Sequence, residues 1–280
     1  MRWRDERQSE NIEDRRGMGG GKIAIGGLGG VVVLILALIF GADPRQILEQ
    51  LPQPGDGAQT SRAVNPEEEE VKQFVAVVLA QTEDAWGDIF RQMGRQYHKP
   101  KLVLFNDRVQ SGCGIAASAT GPFYCPQDEK LYIDLSFFRE LRTRFRAPGD
   151  FAIGYVVAHE VGHHVQKQLG MMDRVNAARR RGREDGANGA SVRLELQADF
   201  LAGVWAHYVQ SRGIVETGDA EEALAAASAV GDDRLQRESQ GYAVPDSFTH
   251  GTSAQRARWF LKGMDTGDVR QGDTFSASEL

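Results

Sequence analysis

One stretch limits what this chain can become more than any other. Residues Phe151 to Gln168 read Phe-Ala-Ile-Gly-Tyr-Val-Val-Ala-His-Glu-Val-Gly-His-His-Val-Gln-Lys-Gln, with Gly170 as the stop. Val156, Val157, Ala158, Val161, Gly162 and Val165 carry no charge, so the pattern predicts a buried helix. Set within it are His159, Glu160 and His163. Burying such groups without partners costs kilocalories each. The fold must therefore bring something to them. Residues four apart share a helix face, and His-Glu-x-x-His thus offers two imidazoles to one cation, zinc being the fitting ion. Glu160 projects roughly 100° around the helix, where it can address a water rather than the metal.

A catalytic zinc takes three protein ligands and keeps one position open. The third ligand is expected from Glu195-Leu196-Gln197-Ala198-Asp199, on a helix from about Ser191 to Gln210. Glu195 and Asp199 share a face, and like charges so placed repel. Glu195 bound to zinc, with Asp199 bonded to the outward nitrogen of a ligating histidine, removes that repulsion and fixes the tautomer. Ala202 and Ala206 continue the face and leave room for a close neighbour. A solvated acidic stripe accounts for the charges but not for Leu194, Leu196, Phe200, Leu201, Val204 and Trp205 around them. His164 is expected to be a packed or surface residue, and His207 is an alternative ligand.

A second constraint lies near the N-terminus. Ile23 to Phe40 is uncharged and almost wholly apolar, and as a helix it matches the ~30 Å of bilayer hydrocarbon. Arg2, Arg4, Arg7, Arg15, Arg16 and Lys22 precede it, and only Arg45 follows closely. The positive-inside bias predicts a cytoplasmic basic N-terminus over 1–22, a transmembrane anchor over 23–41 and everything later outside the cytoplasm. No Ala-x-Ala site follows, which favours an anchor over a cleaved signal. Residues 42–65, with Pro52, Pro54, Gly55 and Gly57, read as a flexible linker. A folded domain is expected over 66–264 and a frayed tail over 265–280.

Within the domain, Asn65 suits a helix N-cap, Pro66 the first helical position and Glu67 to Glu70 the positive end of the dipole. Short strands are expected at Leu102–Phe105 and Leu131–Leu135, so the fold class is α+β, mostly helical. The strand around Tyr132 to Leu135 is expected to accept an extended peptide along its edge. Cys113 and Cys125 lie between the strands. If the domain faces an oxidising compartment they should form a disulfide that pins the Ser111 to Pro126 loop. A helix capped by Ser136 runs to Arg146, a surface helix covers Asp219 to Gly231, and a short helix covers Ser253 to Lys262. The arginines between Arg174 and Arg193 read as a solvated connector or a positive rim. With 33 Lys+Arg against 39 Asp+Glu the net charge is −6, which gives no global support for binding nucleic acid.

His-Glu-x-x-His followed by Glu-x-x-x-Asp resembles the gluzincin metallopeptidases. Ser111-Gly112-Cys113-Gly114, Gly121-Pro122-Phe123-Tyr124-Cys125-Pro126, Tyr132-Ile133-Asp134-Leu135 and His250-Gly251-Thr252-Ser253-Ala254-Gln255-Arg256, taken with the zinc helix, resemble the bacterial "putative neutral zinc metallopeptidase" family of membrane-anchored proteins. The resemblance implies a zincin-like domain, one zinc ion at His159, His163 and Glu195, and Glu160 as catalytic base. It implies a peptide or protein substrate. The spacing from His163 to Glu195 is wider than in thermolysin-like enzymes. His250 is a candidate donor to the oxyanion, and Arg256 is expected to orient it or to pair with an acid. The expected function is a metalloendopeptidase in the cell membrane, working outside the cytoplasm. The alternative is an anchored, non-catalytic binding module with structural zinc, against which the placing of Glu160 argues.

Overall fold

The computed structural model describes residues 1–17, 65–180 and 186–280. The expected anchor at 23–41 and nearly all of the linker at 42–65 lie outside the described residues. Among those described, no helix is long and apolar enough to cross a membrane.

The architecture is α+β and mostly helical. A four-stranded sheet has the order β1 (Ile12–Asp14), β2 (Lys101–Phe105), β6 (Lys130–Asp134), β5 (Phe123–Cys125). The first three strands are parallel, with Leu102 opposite Leu131 and Leu104 opposite Ile133, and β5 runs antiparallel to β6. A separate hairpin pairs β3 (Arg108–Ser111) with β4 (Gly114–Ala117). Strand β2 is a near-continuous apolar run because both of its faces are covered, as parallel strands require. Since β6 is paired on both sides, the edge once expected at Tyr132 to Leu135 belongs to β5 instead. Cys113 and Cys125 form a disulfide, which ties the β3–β4 turn to that edge strand.

Helix α1 (Pro66–Gln92) starts as its sequence dictates: the Asn65 side chain accepts from the Glu67 amide at 3.1 Å. Helix α2 (Ser136–Thr143) follows β6, and there the cap differs from expectation. Leu135 is the N-cap and Ser136 makes no side-chain cap, while Asp134 Oδ1 accepts from the Ser136 amide at 2.9 Å. The central helix α3 (Asp150–Gln168) is buried along most of its length, and Gly170 ends it at φ +77°. Helix α4 (Met172–Arg179) leads away from it, and α5 (Ala190–Ser211) returns to pack along α3. The two approach closely because Gly162 lacks a side chain: a Cβ there would sit 3.0 Å from the Ala198 carbonyl oxygen. Phe151 stacks on Trp205 further along the same interface.

Helices α6 (Asp219–Ala229), α7 (Asp232–Gln240) and α8 (Ser253–Thr266) complete the domain. Helix α6 is not an ordinary surface helix, because Ala223, Ala226, Ala227 and Ala229 are fully buried against α3 and α8. Helix α8 extends four residues past Lys262, begins in a capping box between Thr252 and Gln255, and buries Trp259 and Phe260. It crosses α5 at Gly203 and Gly263, where a Cβ on either would collide with the other helix's backbone.

Both termini depart from expectation. The tail is packed rather than frayed: Thr274 is fully buried, Gln197 donates to the Gly272 carbonyl at 2.8 Å, and Arg193 donates to Ala277 at 3.0 Å. Arg193 is therefore a clamp, not part of a solvated connector. Residues 1–17 are no separate basic arm. They add β1 to the sheet, and Trp3 is buried beside Phe74.

Candidate metal centre

Helix α3 places His159 and His163 one turn apart, and α5 brings Glu195 against both. His159 Nε2 lies 3.2 Å from Glu195 Oε2, and His163 Nε2 lies 3.4 Å from Glu195 Oε1. The three ligand atoms all fall within 4.8 Å of one another. Zinc–ligand bonds of ~2.0–2.1 Å at tetrahedral angles give ligand–ligand edges of roughly 3.3 Å. The residues present fit a zinc ion.

The outward ring nitrogens are also fixed, as metal-binding imidazoles require. His159 Nδ1 donates to Asp199 Oδ1 at 2.8 Å. Tyr155 donates its hydroxyl to the same oxygen at 2.6 Å, and Arg256 donates to both Asp199 oxygens. His163 Nδ1 donates to Gln166 Oε1 at 2.9 Å. Gln166 is itself held, donating to the Leu194 carbonyl at 2.7 Å and to Gln197 at 3.2 Å. With Nδ1 committed on both rings, each Nε2 faces Glu195 and is the nitrogen left to bind a cation.

Charge follows this geometry. Burial alone would raise the Asp199 carboxyl, but the Arg256 guanidinium and the His159 ring outweigh it and hold it at about 2. Burial likewise opposes charge on His159, yet the Asp199 and Glu195 carboxylates push it up to about 10. Glu195 is held well below the usual carboxylate range by His163 and His159, against its own burial. A pocket that draws protons so strongly onto its imidazoles is one that favours a cation in their place.

Glu160 is buried on α3, one residue after His159, close enough to His163 to act on its charge. His250 sits on the loop before α8, half-exposed, and its charge couples to Glu195. Asp232, at the start of α7, accepts from the amides of Thr249, His250 and Gly251 and from His250 Nδ1 at 3.2 Å. Arg256 does not orient His250, since its guanidinium goes to Asp199. His164 is a packed residue, bonded to Tyr124 of β5 and to the His98 carbonyl. His207 is bonded to the Met264 carbonyl and stands apart from the cluster.

The sequence reading missed Gln166, Gln197, Tyr155 and Asp232. For Gln166 a signal exists in its place three residues after His163 on the helix. Asp232 offers none, because its partners lie seventeen or more residues away.

The match to known families covers this site and nearly everything around it. A model described as "Putative neutral zinc metallopeptidase" matches residues 1–275. The chain belongs to this family. It is 49% identical over 288 residues to the uncharacterized protein YpfJ of Escherichia coli K12, covering 99% of this chain and 100% of that one. It is 41% identical over 262 residues to the uncharacterized protein Mb2605 of Mycobacterium bovis, covering 87% and 86% of the two chains. The uncharacterized protein Rv2575 of Mycobacterium tuberculosis H37Rv matches at the same identity and coverage. No solved structure matches the chain.

Proposed function

We propose that the chain is a zinc-dependent endopeptidase with Glu160 as its general base. One observation carries this reading: His159 Nε2, His163 Nε2 and a Glu195 oxygen converge on one point, with Glu160 next to the first ligand on the same helix. Two imidazoles and a carboxylate are a catalytic zinc set, which leaves a fourth position for reactants, whereas structural sites close it. Zinc bound there lowers the pKa of water towards neutrality and polarises a carbonyl.

The other steps belong to the chain. Glu160 takes the proton from the attacking water and gives it to the leaving amine. His250, gripped at Nδ1 by Asp232, presents Nε2–H to the oxygen on which negative charge develops. Asp199 and Gln166 keep the two ligating imidazoles in one tautomer and one orientation. Strand β5 has a sheet edge to which an extended peptide can add, and Tyr124 links it to the residue after His163. The Cys113–Cys125 disulfide supports work in an oxidising compartment outside the cytoplasm. The apolar run at 23–41 supports a place at the cell membrane.

The test is cleavage of unfolded casein by the full-length protein. Activity should vanish with a chelator and return when zinc is restored. Zinc-loaded protein that cleaves no peptide in a diverse library would overturn the reading.

A further inference from the structure

We infer that residues 1–17 and the metal-site domain lie on the same side of any membrane the protein meets. The inference stands apart from the peptidase reading. It conflicts with the cytoplasmic N-terminus that charge bias alone predicts.

The N-terminal residues are built into the domain at four levels. Strand β1 extends the sheet in parallel, with Ile12, Glu13 and Asp14 opposite Leu102, Val103 and Leu104. The ladder continues beyond the strand, from Leu102 N to the Asn11 carbonyl at 2.9 Å and from Arg15 N to the Leu104 carbonyl at 2.8 Å. Trp3 is buried edge-on to Phe74, and its indole N–H donates to Asp150 at 2.9 Å, the first residue of the metal-binding helix. Glu83, buried on α1, accepts from the Ser9 hydroxyl and from the Asn11 amide. Withdrawing those donors would strip a buried carboxylate of two partners, a loss of kilocalories.

Three of the arginines that carry the orientation signal, Arg4, Arg7 and Arg16, pair with carboxylates of α1. Arg4 pairs with Glu70 at 2.6 Å, Arg7 with Asp84 at 2.7 Å and with Glu83, and Arg16 with Asp14 at 2.8 Å and with Glu69. Arg15, just past β1, pairs with Glu13 within the same segment, and Arg2 donates to the Gly213 carbonyl. A cation already matched by a carboxylate of the folded domain no longer reports which side of a bilayer it prefers.

The decisive relationship is between the two ends of the stretch from Gly17 to Asn65. Arg16 bonds to Glu69, and Lys72 bonds to Asp14 at 2.9 Å. The chain leaves the domain and re-enters it at one place. A single crossing would put ~30 Å of hydrocarbon between those ends. Ion pairs and strand hydrogen bonds of about 3 Å cannot persist across it. Residues 1–17 and the domain from Asn65 onward therefore share one side.

The test uses the full-length protein in its host cells, with Gln8→Cys and Ser239→Cys made singly. Both positions are exposed, one in the N-terminal segment and one in α7. A membrane-impermeant maleimide is applied to spheroplasts before and after lysis. The inference expects the two variants to behave alike, with a labelling ratio near one in each condition. A second variant, Asp14→Cys with Lys72→Cys, should yield a cross-link that shifts mobility on a non-reducing gel after treatment with oxidant. One position labelled in intact spheroplasts and the other only after lysis, with no cross-link, overturns the inference.

Discussion

Arg256 grips Asp199 with two parallel hydrogen bonds, Nε to Oδ2 and Nη2 to Oδ1, each 2.9 Å long. Both side chains are buried, and Asp199 uses the same Oδ1 to hold His159. The pair thus fixes His159, the first of the proposed ligands, from 40 and 97 residues further along the chain. Such a fork suits arginine and not lysine, whose single ammonium cannot meet two carboxylate oxygens at once.

Arg256→Met should leave the buried Asp199 without its guanidinium partner, held only by Tyr155 and His159, at a cost of about 3–5 kcal/mol in stability. Asp199→Asn removes the charge but keeps the shape, and should weaken zinc binding by about 10–100-fold. Denaturant unfolding checks the first outcome and competition with a chromophoric chelator checks the second.

Part of this site is written in local sequence and part is not. His159, Glu160 and His163 are legible because helical spacing alone puts the two imidazoles together. Glu195 and Asp199 are legible because two acids on an apolar helix face demand a partner. Asn65 announces the start of α1 for the same local reason. The packing of residues 1–17 was not legible, because Arg4, Arg7 and Arg16 meet Glu70, Asp84 and Glu69 only in the fold. Their partners lie more than fifty residues away. Helix α6 was misread because alanine is equally at home on a surface and in a tight interface. The tail was misread because Gly272 and Thr274 owe their order to Gln197 and Arg193, not to their neighbours.

His250→Ala should lower kcat by about 100–1,000-fold with little change in KM, since a donor to a developing oxyanion acts in the transition state. Asp232→Ala should lower kcat as well and also destabilise the protein, because the amides of Thr249, His250 and Gly251 lose their shared acceptor. Steady-state kinetics on a single fluorogenic peptide separate kcat from KM. Equal kcat in wild type and His250→Ala would remove His250 from the reaction.

Acid should loosen the N-terminal strand. Hydrogen bonding from Lys130 and Arg15 holds the Glu13 carboxyl at about 2, against its ordinary 4.5. Arg16 and Lys72 likewise lower Asp14. A carboxylate whose pKa is depressed on folding stabilises the protein above its unfolded pKa, and that contribution drains away as pH falls through the folded one. For Glu13 the window runs from 4.5 down to about 2. Wild type should therefore lose more stability between pH 6 and pH 3 than Glu13→Gln does, as read by urea midpoints at the two pH values.

The crossing of α5 and α8 tolerates no side chain at Gly263. A methyl group there would strike the Phe200 carbonyl, and backbone on the facing helix cannot rotate away as a side chain can. Gly263→Ala should destabilise the protein by roughly 1–3 kcal/mol, although alanine favours helix more than glycine does. The thermal midpoint checks it. A rise in that midpoint would contradict the close approach.

The whole account rests most directly on Glu160. The decisive measurement compares Glu160→Gln with wild type for zinc content and for peptide cleavage in the same preparations. The account predicts one zinc per chain in both, with cleavage by the variant reduced by about 100–10,000-fold. Undiminished cleavage by a zinc-loaded Glu160→Gln protein would contradict it.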